Sequence, residues 1–168
     1  MVKMKNKYLL ILISLLIVLT GCSKGKSDIP NEDKEVIENF LDSYFEQFNY
    51  TEEEWKDLIN HIESKTLNED PWLIQWRKTL TEKEIVRLIS NRLLPNLYLR
   101  EYPETEYIVE ELIHKDKGLY SVNITFKNIG DEKKEETINI SINLTDTEEG
   151  RRIDYIDLEE FNLLFNKK

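Results

Sequence analysis

Nucleophilic chemistry has few starting points in this chain: one thiol, Cys22, and two imidazoles, His61 and His114, among 168 residues. A histidine acting as general base needs a partner acid or nucleophile within hydrogen-bond reach. Neither His61 nor His114 stands in a local motif that supplies one, so both read as surface or boundary residues. Carboxylates folded inward beside His114 would mark an enzyme. Zinc wants several His or Cys ligands at fixed spacing, which the chain does not provide. Calcium wants clustered oxygens around a glycine-bearing loop. Asp146, Glu148 and Glu149 before Gly150 come nearest, then Asp154, Asp157, Glu159 and Glu160. Neither group has the alternating ligand spacing, so both read as solvated acidic faces. Glycine-rich phosphate loops are absent. The expectation is a protein with no metal, no cofactor and no catalytic site.

Cys22 differs from the histidines because of what precedes it. Lys3, Lys5 and Lys7 make a positive start, Tyr8 to Leu19 is an apolar run broken by Ser14, and Leu19, Thr20 and Gly21 lead into the cysteine. That is the layout of a cleaved export signal, residues 1–21. A membrane-spanning helix needs about 20 apolar residues. The run here ends at Thr20, and Ser23, Lys24, Gly25, Lys26 and Ser27 cannot prolong it. A secretory signal whose cleavage frees the protein, and a buried inert thiol, are the competing readings. The box Leu19-Thr20-Gly21-Cys22 resembles the cleavage site of bacterial lipoprotein precursors, Gram-positive ones in particular. The resemblance implies a diacylglycerol thioether on Cys22 and a new N-terminus there. It also implies residence at the cell membrane, lipid-anchored and facing the extracytoplasmic side. Two acyl chains suffice for stable anchoring where one does not. Residues 22–31 then form a tether, and 32–168 a single domain.

Charge and composition narrow the class of partner. The chain carries 33 acidic and 23 basic residues, and losing the three leader lysines takes the net charge from −10 to −13. A body so acidic repels nucleic acid and anionic polymers, so nucleic-acid binding is excluded. With its one cysteine acylated, the domain has no disulfide and depends on its core. Four Asn-x-Ser/Thr sequons, at Asn49, Asn123, Asn139 and Asn143, read as chance in a bacterial lipoprotein.

The elements that must position any site follow from periodicity. Val36, Ile37, Phe40, Leu41, Tyr44, Phe45 and Phe48 recur at helical spacing and predict a main core helix. Thr51 with Glu54 and Thr81 with Glu84 form capping boxes, with Tyr50/Trp55 and Leu80/Ile85 as their hydrophobic staples. Asp70-Pro71 opens a shorter helix carrying Trp72, Leu73 and Trp76. Ile85, Val86, Ile89 and Leu93 continue the last of these helices until Pro95 stops it.

After Pro103 the period becomes two. Tyr107 to His114 alternates poorly, as a bulged or doubly buried strand would. Tyr120, Val122, Ile124 and Phe126 alternate with polar neighbours, as do Ile138, Ile140, Ile142 and Leu144. Arg152 to Leu158 reads as a last strand, and Phe161, Leu164 and Phe165 as a terminal helix. The expected class is α+β: N-terminal helices packed on one face of a curved antiparallel sheet of about four strands. That order of elements resembles the nuclear transport factor-like and cystatin-like superfamily. The resemblance implies a sheet wrapped on a long first helix, with pairing of copies through the sheet.

Two candidate sites emerge. The outward sheet face carries Asn123, Thr125, Asn139, Ser141, Asn143 and Thr145, polar but uncharged on an otherwise acidic protein. Depletion of charge is a mark of contact surfaces, which points to a protein partner or a homodimer; a solvated face rich in β-formers is the plainer reading. Trp55, Trp72 and Trp76 are the second candidate, as walls of a small-ligand or sensing pocket. At helical spacing they fit core packing as well.

Overall fold

Helix α1, Asn31–Phe45, forms because its apolar residues return every three or four positions to one side. Ile37, Phe40, Leu41, Tyr44 and Phe45 are all at most 1% exposed. A 3-10 turn, Glu46–Asn49, carries Phe48 into the same core. The computed structural model describes residues 29–63, 71–130 and 132–166; Leu19, Thr20, Gly21 and Cys22 lie outside them, as does the side chain of Trp72.

Helix α2, Glu52–Glu63, starts at a closed capping box. The Thr51 amide donates to Glu54 Oε2 at 2.7 Å and the Glu54 amide to Thr51 Oγ1 at 3.3 Å. Tyr50 and Trp55 meet edge to face at 5.4 Å, which is the expected staple. Helix α3, Pro71–Trp76, is short and buries Leu73 and Trp76.

Helix α4, Glu82–Ser90, corrects the expectation in two places. Its capping box closes one way only. Thr81 Oγ1 accepts from the Glu84 amide, but the Glu84 carboxylate turns away into the protein. The helix also stops before Pro95. Arg92 takes a left-handed conformation, φ 59°, and the Leu93 amide bonds back to Leu88 O at 2.8 Å while the Arg92 amide reaches Ile89 O. This is a Schellman ending, with arginine where glycine is usual.

Four strands follow as an antiparallel meander in the order β1-β2-β3-β4. They are β1 Glu106–Asp116, β2 Leu119–Ile129, β3 Lys134–Thr147 and β4 Gly150–Ile156. β1 is bulged between Val109 and Glu111 and again between His114 and Asp116. It is an exposed edge strand, not one buried on both faces, which accounts for its poor alternation. Helix α5, Glu159–Phe165, closes the chain. The molecule is therefore α+β, with its helices packed against one face of a four-stranded antiparallel sheet.

Helix α1 lies nearest β4, and α5 lies nearest β3. Tyr120, Val122, Ile124 and Phe126 from β2 and Ile140, Ile142 and Leu144 from β3 are at most 3% exposed beneath these helices. Phe126 is ringed by Phe45, Phe161 and Phe165 at 5.1–5.5 Å between centroids. The far side of β4 is covered too. Leu80 forms a parallel bridge to Ile153, with the Thr81 amide donating to Ile153 O and the Ile153 amide to Thr79 O. No sequence pattern announces this short addition to the sheet.

Ile140 lies at the middle of the packed face. Ile140→Asp is expected to abolish the cooperative urea transition, because it buries an unpaired carboxylate. Ile140→Ala should keep the transition and lower stability by about 2–5 kcal/mol.

Candidate functional site

The uncharged face is built by strand alternation, which turns every residue between the buried ones outward. Cross-strand register aligns those residues in rows. Ile108, Thr125 and Thr137 form one; Glu111, Asn123 and Asn139 a second; Ile113, Ser121 and Ser141 a third. Asp116, Leu119, Asn143 and Tyr155 form the fourth, and Thr145 continues opposite Arg152. In the four rows the charged residues are Glu111 and Asp116, both on the edge strand β1.

Side-chain hydrogen bonds knit the rows together. Asn139 is their hub: its Nδ2 donates to Asn123 Oδ1 at 2.6 Å and to Ser121 Oγ at 2.7 Å. Asn123 Nδ2 reaches Glu111 Oε2 at 3.4 Å, and the hydroxyls of Thr125 and Thr137 meet at 2.8 Å. Behind the hub, the Asn139 backbone amide donates to Glu160 Oε2 at 2.9 Å, so α5 covers an otherwise open stretch of the β3 edge. The structure thus brings all six sequence-predicted residues onto one face. Thr125 departs from the expectation of a fully open position, being 5% exposed between its row neighbours.

The sequence reading missed the apolar component of this face. Ile108, Leu119 and Tyr155 share it and are 42%, 41% and 43% exposed. Register alone puts them there, and the poor alternation of β1 hid the first. Tyr155 is held in place by the Arg87 guanidinium, 4.7 Å from its ring centre. Arg87 in turn forks onto Glu84, whose Oε1 also accepts from the Ile156 amide at 2.8 Å. That explains the open capping box: Glu84 ties α4 to β4 instead of to its own helix start.

Trp55 and Trp76 are core residues, not pocket walls. Trp55 and Trp76 are each 1% exposed, and Trp76 packs edge-on against Phe40 and Tyr44 at 5.8 and 6.3 Å. Burying these large rings contributes more to the core than an exposed pocket lining would. A hollow of about 520 Å³ does open between α2 and α4, but its walls are Ile59, Ile89, Leu94, Pro95, Leu97 and Tyr98, with Arg92.

A polar cluster does gather inward near His114. His114 stacks on Tyr120 at 4.9 Å, and the Tyr120 hydroxyl donates to Asp33 Oδ2. Arg151 forks onto the same carboxylate, Nε to Oδ1 at 2.8 Å and Nη2 to Oδ2 at 3.2 Å, and its Nη1 reaches Asp146. Burial alone would raise the Asp33 carboxyl. The Arg151 and Tyr120 hydrogen bonds and the Arg151 charge outweigh it and hold the group below its ordinary value of 3.8. Burial, then the Asp33 carboxylate, push the Tyr120 phenol up. Both Asp33 oxygens are thus engaged by Arg151 and Tyr120, and none of its hydrogen bonds comes from His114. The arrangement ties the start of α1 to β2 and β4.

The acidic runs are partnered in the same way. Asp154 takes Lys83 and Thr81, Glu149 pairs with Arg152, and Asp157 caps the Glu159 amide. Among the described residues no three His, Cys, Asp or Glu are grouped to hold a metal ion, and no helix is long and apolar enough to cross a membrane.

Neither a protein-family model nor a curated protein matches the chain. One solved structure is similar, the crystal structure of a protein of unknown function from Bacteroides thetaiotaomicron. The two share 14% identity over 89% of this chain and 98% of that one, with a TM-score of 0.46. So loose a likeness bears on neither fold family nor function.

Arg151→Ala would leave Asp33 buried and short of its cation. The expected cost is about 3–5 kcal/mol in urea unfolding. The Asp33 contribution is complete above its ordinary carboxylate range and is lost as pH falls through the lowered value. The stability gap between the native protein and Asp33→Asn should therefore narrow as pH is taken below about 4. Parallel pH profiles for the two proteins would remove that assignment.

Proposed function

We propose that this protein is a lipoprotein, held at the outer side of the cell membrane by a diacylglycerol on Cys22, and that it acts without catalysis. Its work is to dock a protein partner, or a second copy of itself, on the outward sheet face. One observation carries the docking: four cross-strand rows hold two charges, Glu111 and Asp116, both on the edge strand β1, and none on β2, β3 or β4, on a chain of net charge −10. Elsewhere the acidic surplus keeps other acidic proteins away, whereas this face lets them approach without charge repulsion. Exposed Ile108, Leu119 and Tyr155 add apolar area for contact, Tyr155 being the aromatic type enriched at interfaces.

The anchor is supported by the Leu19-Thr20-Gly21-Cys22 box after its basic and apolar leader. The order of elements, helices followed by a four-stranded meander, supports reading the domain as nuclear transport factor-like or cystatin-like. The engaged state of the Asp33 carboxylate supports a structural part for the cluster beside His114.

Two measurements test this. Mass spectrometry of the protein from membranes should find Cys22 acylated, and Cys22→Ala should move the protein out of the membrane fraction. Photo-crosslinkers at Asn139 and Asn143 in intact cells should capture one defined partner or a self-dimer. Ser141→Glu, which sets a charge in the middle of the rows, should cut that yield at least ~10-fold, a change of about 1.4 kcal/mol. Undiminished crosslinking by Ser141→Glu, in a variant that still folds, would move the docking site elsewhere.

A further inference from the structure

The arginines of this chain are Arg77, Arg87, Arg92, Arg100, Arg151 and Arg152, and all lie among the described residues. All but one are paired with a carboxylate: Arg77 with Glu82, Arg87 with Glu84, Arg100 with Glu52, Arg151 with Asp33 and Arg152 with Glu149. Arg92 is the exception. Among the described residues its guanidinium makes no hydrogen bond and no ion pair. On a chain with 33 acidic residues, that isolation does not come from a shortage of carboxylates.

Arg92 stands at the end of α4 with φ 59°, where a glycine would complete the same ending without strain and without charge. Its exposed side chain lines the hollow of about 520 Å³ between α2 and α4. Ile59 of α2, Ile89 of α4, and Leu94 and Pro95 of the loop that follows supply apolar walls. Leu97 and Tyr98 form the rim, 47% and 38% exposed. Among the described residues no carboxylate lines the hollow. An adjoining groove, which shares Ile59, carries Glu52, Glu53, Lys56 and Arg100, with Arg100 Nε on Glu52 at 3.0 Å. Those charges cancel, so Arg92 sets the sign of the site.

The loop wall is held in place by buried polar groups. Asn96 is wholly buried and bonds in three directions. Its amide donates to Gln47 Oε1 at 3.0 Å and its Nδ2 to the Tyr44 hydroxyl at 3.2 Å, while its Oδ1 accepts from the Tyr98 amide at 3.2 Å. The Tyr44 hydroxyl in turn donates to Leu93 O at 2.9 Å. Leu94 and Pro95 are thus tied down on both sides, and a satisfied network of this kind is rigid. A preformed, mainly apolar hollow with few polar groups is the usual form of a small-ligand site, at about 300–1,000 Å³.

We propose that this hollow binds a small amphipathic carboxylate, its apolar body against Ile59, Ile89, Leu94 and Pro95 and its head forked by the Arg92 guanidinium. Guanidinium and carboxylate match in shape and in charge, through two parallel N–H···O bonds. A phosphate monoester would bring about −1.5 to −2 charges to one cation at pH 7. The surplus would fall on a chain already at −10. The Tyr98 hydroxyl, which makes no hydrogen bond among the described residues, is a second donor at the rim. The site shares no residue with the rows of the sheet face, so it stands whether or not that face docks a protein.

The test is photolabelling of the full chain with decanoate carrying a terminal diazirine, read by mass spectrometry of the labelled peptides. Label should gather on Ile59, Ile89 and residues 94–98, and excess decanoate should compete it away. Arg92→Gly should cut the yield at least ~10-fold. Its urea transition should stay at or above that of the native protein, because glycine suits the left-handed turn. The matching diazirine alcohol should label the native protein more weakly than the carboxylate does, and be indifferent to Arg92→Gly.

Label spread over the domain with none at the hollow, equal yields from acid and alcohol, or a yield unchanged by Arg92→Gly would each overturn the proposal. Stronger competition by decyl phosphate than by decanoate would overturn the choice of head group. If Arg92→Gly proves less stable than the native protein, Arg92→Asn, which also tolerates the left-handed turn, is held to the same result. A second copy of the chain is the rival occupant. Self-association that Leu97→Asp abolishes in sedimentation, together with no decanoate label at the hollow, would assign the site to that copy and overturn the proposal.

Discussion

The packing of aromatic side chains from both ends of the chain onto one side of the sheet is the interaction on which the rest depends. α1 contributes Phe40, Tyr44 and Phe45, and α5 contributes Phe161 and Phe165, around Phe126 of β2. Full burial of such a side chain is worth about 1.5–3 kcal/mol, and no disulfide is available to substitute for it. Because helices from before and after the sheet meet on the same side, the other side is left uncovered. The open face is thus a consequence of where the core lies.

Electrostatics separates the two sides further. The acidic surplus is partly neutralised in pairs that also fasten elements together, such as Arg151 with Asp33 and Arg87 with Glu84. Exposed pairs such as Lys34 with Glu38 contribute little by comparison. The open face takes no part in this pattern. Apart from Glu111 and Asp116 on β1, its polar groups in the four rows are amides and hydroxyls, with Asn139 serving Asn123 and Ser121. Side chains already paired across strands would lose little further freedom in the proposed docking, which lowers the entropic cost of contact.

Much of this was legible in the chain itself, for identifiable reasons. Apolar spacing and cap residues are local signals, so α1, the Thr51 box and the alternating strands β2 and β3 read correctly. The six polar residues of the face follow from the same alternation. Signals that depend on distant partners did not read. Glu84 sits at the correct offset for a capping box, yet the Ile156 amide and Arg87 claim its carboxylate from across the fold. No local signal marks Asp33 within the first turn of α1, because its partner Arg151 lies 118 positions away in sequence. Trp55 and Trp76 stayed open to both readings because aromatic spacing on a helix is the same whether the far side is a pocket or a core.

The Asp33–Arg151 pair links these strands of the argument. It is nearly buried, with side chains 6% and 18% exposed, so it resists salt screening better than the surface pairs do. It fastens the first turn of α1, the end at which any tether must pull, to β4 and through Tyr120 to β2. A load on the N-terminus is therefore delivered to two strands of the sheet at once, and not to a helix that could peel away alone. The same pair holds Arg151 against Asp146 beside the β3–β4 turn, which stiffens the end of the face where Asn143, Thr145 and Tyr155 lie. The docking proposed for an anchored chain requires a surface that keeps its shape under such a pull, and a nearly buried ion pair at the point of entry meets that requirement.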